Sequence, residues 1–179
     1  MKITSWIISL MIIIITIISV VNNRETADDF LQEELSRLEA YFEKRNIKNN
    51  SISQADVAWH LDHSLKTVNR ITEQLQQSDP KAFHPKFSIQ RLIVHTTGRI
   101  PRGVAQSPQS VRPPELITLD SLKTQLEQAR QNLSIIAQLD ENAFFDHPVF
   151  HHLDRDQTRR FLVIHTKHHL KIITDILEE

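Results

Sequence analysis

Beyond residue 25 the apolar residues of this chain recur at every third or fourth position, and that spacing confines it to helices. Residues 26–45 place Ala27, Leu31, Leu35, Leu38 and Phe42 on one helical face. Residues 46–51 form a polar break, after which Ser53-x-x-Asp56 reads as a capping box. The helix it opens turns Val57, Leu61, Val68, Ile71 and Leu75 inward, and Pro80 and Pro85 stop it. Residues 87–97 form a short apolar segment, read as helix with strand as the alternative. A third long helix follows Asp120 as N-cap and buries Leu122, Leu126, Ala129, Leu133 and Ile136. A fourth occupies residues 156–177, with Asp154-x-x-Gln157 as its capping signal. No two-residue alternation is sustained anywhere, so the expected fold class is all-α, a four-helix bundle.

Ahead of this domain, residues 3–23 carry no charge and are mostly Ile, Leu, Val and Met. As a helix, residues 3–21 would reach roughly 28 Å, close to the hydrocarbon thickness of a bilayer. Trp6 stands near one end, where an amphipathic ring favours the interface. A cleaved secretory signal is the competing reading. The run is longer than the usual apolar core of such a signal, and Ser19-Val-Val-Asn-Asn lacks a small-x-small cleavage pattern. The expectation is a single N-terminal transmembrane helix over residues 1–23 with the domain at 24–179. Its partner would be the cell membrane, crossed once, and the weak charge bias of Lys2 against Arg24 puts the domain on the extracytoplasmic side.

Composition closes off several chemistries. There is no cysteine, which excludes disulfides, thiolate metal sites and a cysteine nucleophile. Gly98 and Gly103 are the two glycines, too few for a glycine-rich phosphate loop. A formal net charge of −1 gives no reason to expect a nucleic-acid partner. Residues 98–118 hold both glycines, four prolines and three arginines, a loop of unusual length for a small domain. Its arginines would either be solvated or receive an anionic substrate.

The ten histidines stand out against this background. His165 and His169 are four apart and so lie on one face of the last helix. At ~100° per residue, Phe161, Leu162, Ile172, Ile173 and Ile176 surround that pair, which points it into the bundle. Buried imidazoles need partners, because an unpaired buried polar group costs roughly 1–3 kcal/mol. A shared metal is one solution and core hydrogen bonds are another. A third ligand must come from a different helix, and the second helix offers His60 and His63. By the same angular count His60 lies about 70° from the centre of its apolar face and His63 about 130°, which makes His60 the inward candidate. His147, His151 and His152 read as loop residues that pack or cap, and His84 and His95 as structural.

Two stretches carry a family resemblance. Asp146-His-Pro-Val-Phe-His-His-Leu followed by His165-Thr-Lys-His-His-Leu resembles the C-terminal signature of the DinB-like, or YfiT-like, metalloenzymes. It is closest to a branch known mainly as a domain of unknown function. The segment from Ser53 to Leu65, with His60 followed by Leu-Asp-His-Ser-Leu, resembles that family's second helix, and the Arg102-Gly103 loop has a counterpart there. The resemblance implies a four-helix bundle holding a divalent transition metal (Zn, Ni, Fe or similar) on His60, His165 and His169. It further implies a metal-dependent hydrolase or transferase acting on a small molecule, with no general acid or base fixed by a motif. The alternatives are a non-catalytic metal-binding or interaction module and a helical scaffold without metal. Oligomeric state is left open, a dimer included. His151 departs from the pattern, since the branch usually has glycine there.

Overall fold

The computed structural model describes residues 29–103 and 108–178, together with Trp6, Ser9 and Ile12. Helix α1 spans Gln32–Ala40 and continues into a 3-10 turn at Phe42–Lys44. Leu31, Leu35, Leu38 and Phe42 are all buried, as their spacing requires. Helix α2, Val57–Gln77, begins at Asp56, whose side chain accepts a hydrogen bond from the Trp59 amide. Asp56 is therefore the N-cap and not the far end of a capping box. Ser53 is turned to other partners.

Helix α3, Ile89–Thr97, is capped by the Ser88 hydroxyl and ends at Gly98, whose left-handed φ of 64° suits a residue without Cβ. Helix α4 spans Leu119–Gln138, with Thr118 rather than Asp120 as its N-cap, accepting from the Ser121 amide. Helix α5 spans Arg155–Leu177 and starts at Asp154, which accepts from the Gln157 amide. Between α4 and α5 lies an antiparallel hairpin, β1 at Phe145–His147 and β2 at His151–Leu153, pairing His147 with His151.

These elements correct the expected all-α four-helix bundle. Among the described residues there are three long helices, two nine-residue helices and a two-stranded hairpin. Three-residue strands are too short to leave an alternating pattern in sequence, so nothing in it marks β1 and β2. His151 sits in the hairpin at φ 61°, in the left-handed region that favours glycine.

The single-pass anchor and the cell-membrane location are corrected as well. No helix among the described residues is long and apolar enough to cross a membrane. The long helices have the length but carry charged residues along one face. The anchor expected over residues 1–23 lies outside the described residues, apart from Trp6, Ser9 and Ile12, which are helical and exposed.

Packing centres on α2, which lies against α4 on one side and α5 on the other, while α1 packs across α4 and α5. Leu61, Leu65, Leu122, Ile136, Leu162 and Ile173 fill the space between them. Burying such a side chain contributes roughly 1.5–3 kcal/mol. A polar ladder sets the α2–α4 register. Gln125 donates to Asp62 at 2.8 Å, Asn69 donates to the Gln125 carbonyl at 3.1 Å, and Asn132 donates to Asn69 at 2.9 Å. Helix α3 is docked on α5 differently, with Ile89, Leu92 and Ile93 exposed. Arg91 ties it to the His152 carbonyl, Gln157 and the Lys86 carbonyl, and Arg160 donates to the His95 carbonyl.

Candidate metal centre

One and a half turns into α2, His60 and His63 face α5 at the level of His165 and His169. One ligand nitrogen from each of His63, His165 and His169 lies within 4.8 Å of the others. Their rings are close on all sides, with centroids 5.1 Å apart for His63–His165, 4.8 Å for His63–His169 and 4.6 Å for His165–His169. His60 lies beside this trio, its ring centroid 5.3 Å from that of His169.

Each imidazole is held by identifiable contacts. The Nδ1 of His63 lies 2.9 Å from the Val111 carbonyl oxygen. A carbonyl only accepts, so His63 carries its hydrogen on Nδ1 and leaves Nε2 as a bare lone pair. The indole of Trp59 stacks on the same ring at 4.8 Å. His60 bridges two partners, with its Nδ1 3.0 Å from the Nδ1 of His169 and its Nε2 3.0 Å from the Ser53 hydroxyl. His165 keeps part of its edge at the surface, but its Nδ1 is sealed from solvent and has no hydrogen-bond partner among the described residues. A buried imidazole nitrogen without a partner is costly, and it suits a metal coming to the trio.

Burial also sets the protonation state. Desolvation is the main cause of lowered pKa at all four rings; the neighbouring imidazoles, which oppose a proton on one another, add to it at His60, His165 and His169, and Lys66 adds to it at His63. His60 is pushed down to about 3, by burial first and then by His63, His168 and Arg102. His165 and His169 lie well below the usual histidine range. At His63 burial wins over the Val111 carbonyl and Asp62, both of which pull the other way. Neutral imidazoles are the ligating form, so the pocket is already in the protonation state a transition metal needs.

The structure brings together the expected pair His165 and His169, and it adds His63 to them. His60, the expected third ligand, is buried against His169 and Ser53. Counting from one apolar centre placed His63 outward, yet it is 4 % exposed. That count treats a helix as having one buried face. The sector bearing His63 is covered by α5 and by the Gln109–Val111 turn, just past the middle of the long loop. The local signal is the line of Trp59, His63 and Thr67, spaced four apart, which carries no charge. Val111 and Ser53 left no such mark.

The other histidines stabilise the frame. His147 stacks on Phe150 at 4.2 Å and its Nδ1 accepts from the amides of Val149 and Phe150, closing the hairpin turn. His152 stacks on Phe144 at 4.1 Å and accepts from the His84 amide. His168 is half-buried beside His169, with Arg102 near enough to lower its pKa. Arg102 is in turn paired with Asp175 at 2.6 Å.

Compared with known proteins, the chain matches no family model, no curated protein and no solved structure.

Proposed function

We propose that this protein is a DinB-like metal-dependent hydrolase or transferase acting on a small molecule, with a divalent transition metal held by His63, His165 and His169. The observation that carries this reading is the convergence of three nitrogens within 4.8 Å in a buried pocket where the Nδ1 of His165 has no partner among the described residues. The donor set fits borderline metals such as Zn, Ni, Co or Fe, all of which take neutral imidazole. Three protein ligands leave a coordination position for water or substrate, the pattern of catalytic rather than closed structural sites. A metal there supplies Lewis-acid activation of water, a thiol or a carbonyl group.

The chain's own residues prepare the site. The Val111 carbonyl orients His63, and such outer hydrogen bonds fix which nitrogen a histidine ligand presents. Trp59 walls one side by stacking on His63. Arg102 brings positive charge to the neighbourhood of His60 and His168, and the Asp175 carboxylate already answers it at 2.6 Å.

Elemental analysis of the purified full chain tests this directly. One equivalent of a transition metal is expected, lost in both His63→Ala and His165→Ala. Less than a tenth of an equivalent, with no melting shift on adding zinc, nickel or cobalt, would reject the metal and with it the enzyme.

A further inference from the structure

We infer that His60 is a positioning residue that fixes the proton of His169, and not a metal ligand. The inference rests on the metal centre proposed above, but its first test does not require metal. The two Nδ1 atoms are 3.0 Å apart, so one hydrogen lies between them and one ring must present a lone pair to the other. The second nitrogen of His60 is committed elsewhere, 3.0 Å from the Ser53 hydroxyl, which also accepts from the Ala55 amide.

Two proton arrangements satisfy these contacts. In the first, His169 donates from Nδ1 to His60, and His60 donates from Nε2 to Ser53, whose oxygen has a second lone pair for it. In the other, Ser53 donates to His60 and His60 to His169. That arrangement places a hydrogen on the Nε2 of His169, the nitrogen left to join the trio once Nδ1 faces His60. Only the first leaves Nε2 of His169 bare. It repeats on His169 what the Val111 carbonyl does for His63, where the hydrogen is held on Nδ1. Two of the three convergent histidines are thus aimed by an acceptor behind them. The sequence element responsible is Ser53 together with His60, seven residues apart across the start of α2.

The placement of His60 agrees with this role. It is buried at 4 % exposure and in contact with His169, yet its nitrogens do not join the convergent set. A residue that is buried, doubly hydrogen-bonded and one step removed from the metal affects affinity through its neighbour. Outer partners of this kind typically change metal affinity by 10–100-fold.

Two measurements on the full chain test it. Long-range proton–nitrogen correlation spectra of the metal-free protein should show His169 protonated on Nδ1 and His60 on Nε2. Zinc titration should then show His60→Ala still binding one equivalent, about 10–100-fold more weakly. His60→Asn, whose carbonyl oxygen can stand near the lost Nδ1, should recover most of that loss, while His63→Ala should bind no stoichiometric zinc. A hydrogen on Nε2 of His169 overturns the inference. So does complete loss of zinc in His60→Ala, which would make His60 a ligand, or a His60→Asn no better than His60→Ala. If the wild-type chain takes no zinc while the spectra show the stated tautomers, the metal reading fails and the assignment of His60 stands.

Discussion

His63 and Val111 are 48 residues apart in sequence and are joined by a 2.9 Å hydrogen bond from the His63 ring to the Val111 carbonyl. That bond makes the loop between α3 and α4 part of the site. Metal bound to the trio should therefore hold the loop as well as the helices. Zinc is expected to slow amide exchange at Val111 and Arg112, whose amides bond back to Pro108 and Gln109, at least tenfold. Ligand binding to the folded state alone stabilises it by about 4 kcal/mol at a thousandfold excess over the dissociation constant. Unchanged exchange at Val111 in a protein that has taken up zinc would separate the loop from the site.

Acid should begin to destabilise the fold above the carboxylate range. His95 and His147 are pushed from 6.5 down to about 4, burial being the first cause of each. Between those limits the unfolded chain binds the extra protons, so their contribution is fully present above pH 6.5 and is lost as pH falls toward 4. Each ring accounts for up to about 3 kcal/mol by that shift. Urea midpoints at pH 7.5 and 4.5 measure the loss. His147→Asn should flatten part of the slope, because its carbonyl oxygen still accepts from the turn amides but does not titrate. An identical slope in the variant would remove His147 from the account.

The hairpin holds a locally strained residue in reserve. His151 is exposed and sits at φ 61°. A left-handed backbone costs a side-chain-bearing residue about 1–2 kcal/mol, partly offset by the greater flexibility of glycine in the unfolded chain. His151→Gly is expected to gain about 0.5–1 kcal/mol in denaturant unfolding. A loss of stability would mean the imidazole contributes contacts that outweigh the strain.

The asparagine ladder predicts a non-additive pair. Asn132→Ala leaves the Asn69 carbonyl oxygen without its donor in a partly buried stretch of the α2–α4 interface and should cost about 1 kcal/mol. The double change Asn69→Leu with Asn132→Leu removes donor and acceptor together and should cost less than the sum of the two single leucine changes. Strict additivity in a double-mutant cycle would show that the two amides are not coupled.

Attachment of α3 rests on arginine more than on apolar contact. Arg91 donates to the His152 carbonyl at 3.2 Å, to Gln157 at 3.3 Å and to the Lys86 carbonyl at 2.8 Å. Arg91→Ala should therefore loosen α3, by about 1–3 kcal/mol, with the α2–α4–α5 core unaffected. Exchange confined to residues 88–97 is the expected signature, and a uniform loss across the core would contradict it.

Local periodicity is enough to specify the long helices and their inward faces. Leu61, Leu122, Leu162 and their periodic neighbours are buried because a 3.6-residue repeat leaves them one place to go. It also determined that His165 and His169 share a face, since four residues make about one turn. Asp154 was legible as a cap for the same local reason, whereas Asp56 and Thr118 show that neighbouring polar residues compete for the cap and only backbone geometry selects one. What lay beyond the sequence depends on contacts distant along the chain. The three-residue strands form because each supplies the other's backbone hydrogen bonds. The burial of His63 required α5 and the Gln109–Val111 turn to cover a second face of α2, which no single-helix period encodes. The hydrogen bonds of His60 to Ser53 and His169 were decided only there too, because a helix period states which way a ring points and not what will stand opposite it.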